Sequence, residues 1–125
     1  MTSLQVLHID DESDIREVVA ISLGLHPHFV VRSCASGLDG LRAAAEDGPD
    51  IIILDVMMPN MDGPTTLGHL RANLRTAVIP VIFMTARAQQ KELDQLISMG
   101  AVGVIVKPFN PLTLAVSVRN HIALS

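Results

Sequence analysis

Five residues of this chain have types and positions that could do chemistry together: Asp10, Asp11, Asp55, Thr85 and Lys107. Each closes a short apolar run. Asp10-Asp11 follow Leu4 to Ile9, Asp55 follows Ile51-Ile52-Ile53-Leu54, Thr85 follows the run ending at Met84, and Lys107 follows Val102 to Val106. Three carboxylates within a few ångströms of one another repel, so one takes up a proton or a cation sits among them. Hard oxygen ligands with a lysine opposite suit Mg²⁺, which accepts one or two carboxylates and keeps several waters. Lys107 and Mg²⁺ could then hold a phosphoryl group against Asp55, with the Thr85 hydroxyl as a hydrogen-bond donor. Phosphoryl transfer asks little of a protein beyond such positioning and charge neutralisation. An aspartate nucleophile forming an acyl phosphate is a known covalent route. The alternative is a structural ion-pair network at a sheet edge, which leaves Thr85 and the second aspartate without a role.

The elements that would position these residues are legible in the hydrophobic pattern. Five apolar runs alternate with five stretches of helical period, the signature of a doubly wound α/β fold: a parallel sheet with helices on both faces. Strands are expected at Leu4 to Ile9, Phe29 to Ser33, Ile51 to Asp55, Val78 to Met84 and Val102 to Val106. The first helix should begin at Ser13 or Asp14, with Ser13 as cap, and repeats Ile15, Val18, Val19, Ser22 and Leu25 at helical period. A second, from Ser36, should present Leu38, Leu41 and Ala45 and stop at Gly48-Pro49. The third should start near Gly63, capped by Asp62, and bury Leu67, Leu70 and Leu74. The fourth carries Leu93, Leu96 and Ile97 and ends at Gly100. The fifth should run from about Pro111 to Leu124. Parallel strands bring their carboxyl ends to one edge, where open α/β sheets place their ligands. The five residues therefore converge.

Composition narrows the function class. At 125 residues, 49% apolar and 18% charged, the chain reads as one globular domain spanning 1–125. No apolar run approaches the length of a membrane span. Asp10, Asp11, Glu12 and Asp14 fall where a signal peptide would need its apolar region, so a cytoplasmic location is expected. A net charge of −4 with scattered basic residues argues against direct nucleic-acid binding. Cys34 is single and reads as a small buried hydrophobe. His8 lies inside the first strand and reads as a core imidazole, and the other four histidines lack metal-ligand spacing.

At these residues the chain resembles the receiver domain of bacterial two-component response regulators, over nearly its whole length. The likeness rests on Ile9-Asp10-Asp11-Glu12, Leu54-Asp55-Val56-Met57-Met58-Pro59-Asn60-Met61-Asp62-Gly63, Met84-Thr85-Ala86-Arg87 and Val106-Lys107-Pro108-Phe109, in that order. It implies a flavodoxin-like sheet of order 2-1-3-4-5. By the same resemblance, Asp55 accepts phosphate from a sensor histidine kinase or phosphotransfer protein. Asp11 and Asp55 ligate Mg²⁺ directly with the Met57 backbone carbonyl, while Asp10 acts through water. Thr85 and Lys107 contact the phosphoryl oxygens. Such a protein is a phosphoacceptor that catalyses its own phosphorylation and dephosphorylation, not an enzyme with a separate substrate. Further implications are a cis peptide at Lys107-Pro108 and a tuning of phosphate lifetime at Met57 and Arg87.

Two departures bear on output. Receivers commonly carry Tyr or Phe three residues before the lysine; here that residue is Val104, and the chain has no Tyr. After Lys107 the only charged residue is Arg119, so the charged pairs that join many regulators through helices four and five cannot all be present. On the fifth helix Leu114, Ala115, Val118, His121 and Ile122 share one arc, whereas Leu112, Val116 and Ala123 share another with Arg119. The second arc is expected to face outward, as a docking surface for an output partner or a second copy. Two other functions compete. A haloacid-dehalogenase-type phosphohydrolase would need a second aspartate two residues after Asp55, where Met57 stands. An inert receiver-like binding module would be expected to lack a site residue, and none is missing. The chain ends close to its last helix, so no output domain is expected within it.

Overall fold

The protein is described by a computed structural model covering residues 3–123. Its elements alternate strictly: β1 Leu4–Ile9, α1 Ser13–Gly24, β2 Phe29–Cys34, α2 Gly37–Asp47, β3 Ile51–Asp55, α3 Gly63–Ala72, β4 Val81–Thr85, α4 Gln90–Ser98, β5 Gly103–Val106 and α5 Leu114–Ala123. The strands form one all-parallel sheet in the order β2-β1-β3-β4-β5. This is the doubly wound, flavodoxin-like arrangement expected.

Alternate residues of each strand point to opposite faces, and each face has its own core. On one side Leu7, Ile9, Ile52, Leu54 and Phe83 pack against Leu67 and Leu70 of α3, Leu96 of α4 and the alanines of α2. On the other, Val6, Ile51, Ile53, Ile82 and Ile105 meet Val19 and Leu23 of α1 and Leu114 and Val118 of α5. β3 is therefore buried along its whole length, which is why it reads as an unbroken apolar run rather than an alternating one.

Local signals mostly act where the sequence puts them. Ser36 Oγ accepts from the Asp39 N–H at 3.1 Å, and Asp62 Oδ1 accepts from the Thr65 N–H at 2.8 Å, capping α2 and α3. Gly48 and Gly100 take left-handed backbone (φ 57° and 106°) just beyond α2 and α4. The expected cap of α1 does not form. Ser13 is its first helical residue, and Glu12 precedes it without a side-chain cap. Cys34 is a buried free thiol.

Several expected burial faces and boundaries are corrected. β4 begins at Val81, not Val78: Pro80 has no N–H to give the ladder, and Val78 is 90% exposed. α3 stops at Ala72, where Asn73 Oδ1 accepts from the Arg75 N–H and the buried Thr76 hydroxyl donates to the Leu70 carbonyl. That turn throws Leu74 into solvent, 97% exposed. α2 buries Gly37, Gly40, Ala43 and Ala44 rather than Leu38, because the Ile9 side chain occupies the space where a Cβ on Gly40 would stand. The buried residues of α1 are Val19, Ser22 and Leu23, while Val18 and Leu25 are exposed. The Ser22 hydroxyl donates to the Pro111 carbonyl, turning that face toward α5. On α4, Leu96 is buried and Ile97 exposed.

α5 begins at Leu114 because Asn110 organises the preceding turn, accepting from the Leu112 N–H through its side chain and from the Thr113 N–H through its carbonyl. Leu114, Ala115 and Val118 are buried and Leu112 and Val116 exposed, as expected. Leu112 nevertheless lies in the turn, so it is not part of a helical stripe. The Ala123 side chain and Leu124 lie outside the described residues. Arg119 is exposed, with its guanidinium 5.3 Å from the centre of the Phe29 ring.

Gly63 lies where the loop after β3 returns to the strand: its N–H donates to the Val56 carbonyl at 2.9 Å, and a Cβ there would meet the Asp55 carbonyl oxygen at 2.5 Å. Gly63→Ala should therefore destabilise the fold by about 1–3 kcal/mol, because backbone must move. Gly68→Ala, exposed within α3 with nothing near its Cβ, should instead stabilise by about 0.5–1 kcal/mol. Urea unfolding of both variants measures the contrast.

Candidate functional site

The register explains the gathering of the polar residues. Ile9 pairs with Leu54, Asp55 with Met84, and Thr85 with Val106, so the strands end level and their next residues share one edge. Oxygens of Asp10, Asp11 and Asp55 come within 4.8 Å of one another. Lys107 Nζ reaches into them, 3.0 Å from Asp55 Oδ1, 3.2 Å from Asp10 Oδ2 and 3.6 Å from Glu12 Oε1. The peptide between Lys107 and Pro108 is cis, as expected. Thr85 is buried beside them, and its Oγ1 accepts from the Arg87 N–H at 3.1 Å. Met57 follows just past the end of β3, with an exposed side chain.

The two buried carboxylates are pushed apart electrostatically. Burial raises the pKa of Asp55, and with the negative charges of Asp10 and Asp11 it outweighs the Lys107 bond, leaving Asp55 at about 6. Burial also pushes Asp10 up, but the His8 imidazole, the Glu12 N–H on Oδ1 at 2.9 Å and Lys107 together hold it below the usual carboxylate value. Burial lowers the Lys107 pKa, and the carboxylates of Asp55 and Asp10 more than restore it, so the ammonium stays charged.

A divalent cation fits this donor set. Among the described residues, Asp55 Oδ2 is buried without a hydrogen-bond partner, opposite in character to Oδ1, which holds Lys107. A buried anionic oxygen left bare is costly, and a hard cation between it and the neighbouring carboxylates removes that cost. The chemistry and closeness of the oxygens favour Mg²⁺ over a soft metal.

The family model for the response regulator receiver domain matches residues 6–119. The chain belongs to the response regulator receiver family. Among its relatives, this receiver is 36% identical over 115 residues to the DNA-binding dual master transcriptional regulator RpaA of Synechocystis, covering 92% of this chain and 47% of that protein. It is 39% identical over 104 residues to the transcriptional regulatory protein KdpE of Mycobacterium tuberculosis, covering 83% and 44%. The receiver thus spans about half the length of the curated relatives it matches. Among solved structures, the chemotaxis response regulator CheY4 of Vibrio cholerae superposes with a TM-score of 0.88 at 31% identity, covering 96% of this chain and 99% of that one. A putative response regulator from Chloroflexus aurantiacus gives 0.89 at 29%, covering 98% and 99%. Receivers act in two-component signal transduction. Among the described residues no helix is long and apolar enough to cross a membrane.

All five residues singled out from sequence meet at this edge. Three neighbours were not assigned to the site from sequence. Glu12 shares Lys107, Arg16 Nη1 donates to the Asp10 carbonyl at 2.8 Å, and His8 stands behind Asp10. Glu12 lay inside a recognised motif, but nothing in one sequence marks it as a partner of a lysine so far along the chain.

Because the native pKa of Asp55 is raised, the folded receiver holds a proton that the unfolded chain has already released. Stability from this group is present below the unfolded carboxylate value of about 4 and is lost as pH rises through about 6. Asp55→Asn removes the penalty. At about pH 7.5 in EDTA the variant should exceed the wild type by about 1–3 kcal/mol, and near pH 4 the difference should vanish. Mg²⁺ at about a hundred times its Kd should recover roughly 2.7 kcal/mol for the wild type and little for the variant. Urea unfolding at both pH values, with and without Mg²⁺, checks each part.

Proposed function

We propose that residues 1–125 form a single phosphorelay receiver domain in which Asp55 accepts a phosphoryl group from a sensor histidine kinase or phosphotransfer protein. The observation that carries this is the division of the Asp55 carboxylate: one oxygen lies on Lys107, and the other is buried and bare beside Asp10 and Asp11. In the step, an Asp55 oxygen forms a bond to phosphorus while the phosphorus–nitrogen bond to the donor imidazole breaks. The departing imidazole keeps that electron pair and picks up a proton. Asp11, Asp55 and the Met57 carbonyl would hold Mg²⁺, with Asp10 acting through water. When bound, Mg²⁺ supplies positive charge against the phosphoryl oxygens. Lys107 turns its ammonium from the carboxylates to one phosphoryl oxygen, and the Thr85 hydroxyl donates to another. Its link to the Arg87 N–H ties that movement to the loop before α4. The receiver thereby catalyses its own phosphorylation and, when water attacks, its own dephosphorylation.

Incubation with acetyl phosphate and Mg²⁺ followed by intact mass measurement tests the site. One added phosphate is expected in the wild type and none in Asp55→Asn or in EDTA. Phosphate retained by the Asn variant, or uptake without divalent metal, overturns the assignment.

Output is assigned to the face built from α4, β5 and α5, read by a partner or a second copy through packing. Supporting this, Ile97, Met99, Leu112 and Val116 are exposed there, while Val104 takes the place of an aromatic switch. Leu112→Glu with Val116→Glu should keep stability within about 0.5 kcal/mol, as for exposed positions generally. The double variant should still take phosphate, yet fail to associate in sedimentation or partner-binding assays. A collapse in stability would show that the two side chains support the core.

A further inference from the structure

We propose that His8 is a positioning residue for Asp10, taking over the bond to Asp10 Oδ2 when Lys107 turns to a phosphoryl group on Asp55. The inference rests on the reading of Asp55 given above. His8 lies in β1, two residues before Asp10, and is fully buried. Neither ring nitrogen has a hydrogen-bond partner among the described residues. Nε2 stands 3.6 Å from Asp10 Oδ2, longer than a hydrogen bond and too close to admit a water. The same oxygen takes Lys107 Nζ at 3.2 Å. In register, His8 lies between Ser33 and Ile53, neither of which bonds it.

A bare imidazole in a sheet core costs stability that Val or Leu would not, so packing does not account for it. Asp10, by contrast, is a buried carboxylate whose charge depends on donors. Its Oδ1 keeps the Glu12 N–H throughout, but its Oδ2 depends on Lys107. That single ammonium is already divided among Asp10, Glu12 and Asp55. A phosphoryl oxygen on Asp55 makes a further claim on it, and Asp10 Oδ2 is then left buried and short of a donor. A small rotation of the His8 ring brings its Nε2–H onto that oxygen. The exchange requires only that Nε2 carry an N–H.

Two measurements test this. In the first, the ¹⁵N imidazole spectrum of the labelled wild type is recorded in Mg²⁺ with and without beryllium fluoride, a phosphoryl mimic; His8 is assigned by its absence from His8→Gln. The Nε2–H signal of His8 should move when the mimic binds. In the second, acetyl phosphate labelling rates and thermal stability are compared for His8→Leu and His8→Gln. The Leu variant should be at least as stable as the wild type yet take phosphate about tenfold more slowly. His8→Gln, whose amide can donate from a similar reach, should stay within about twofold of the wild-type rate. A wild-type rate in the Leu variant, or a His8 signal that ignores the mimic, overturns the inference while leaving Asp55 as acceptor. Should the Leu variant fail to fold, the wild-type spectrum and the Gln rate decide. A wild type that takes no phosphate at all overturns both readings.

Discussion

One ammonium group holds the functional edge of this receiver together. Lys107 touches Asp10, Glu12 and Asp55, and without it three acidic side chains from the turn after β1 and the end of β3 would face one another across a low-dielectric edge. Coulomb repulsion there is far stronger than in water. The lysine reaches this place because β5 ends level with β4. The arrangement is a strained truce among charges: Asp10 is held ionised and Asp55 is pushed toward protonation. Such a site favours whatever brings positive charge or redistributes the lysine.

The rest of the fold serves to make that edge dry and rigid. β3 is covered by helices on both faces, so Asp55 sits at the mouth of a strand buried along its whole length. The loop behind it is closed by the contact of Gly63 with Val56 and by the Asp62 cap of α3. On the far face, α1 and the turn before α5 are tied by Ser22 and Pro111, and α5 is anchored to β2 by Arg119 over Phe29. These ties hold α1, which follows the acidic pair, and the turn that follows Lys107 in fixed relation.

The strands, their order along the chain and the convergence of the five polar residues on one edge were legible because each rests on a short-range signal. An apolar run followed by a polar residue is visible without knowing what packs above it. The strand order came from family resemblance, not from periodicity. Burial faces of helices were less legible wherever size misled. Leu38 and Leu25 attract attention as large apolar residues, yet α2 is seated on Gly40 and Ala44, and α1 on Leu23. Leu74 and Val78 looked like extensions of α3 and β4, but Asn73 and Pro80 break the backbone first. His8 was read as a core imidazole bonded to a neighbour; it is buried, but its bond is missing. No sequence pattern reveals an absent partner.

The close seating of α2 has a consequence for how this protein can drift in evolution. Gly40 rests on the side chain of Ile9, and Ile9 is the residue immediately before Asp10. Packed interiors transmit displacement instead of absorbing it. A methyl group added at position 40 therefore pushes on the strand end that carries the acidic pair, although position 40 is no ligand and touches none. Position 40 is in this sense a silent member of the site: a variant there would reach the acidic pair through packing alone.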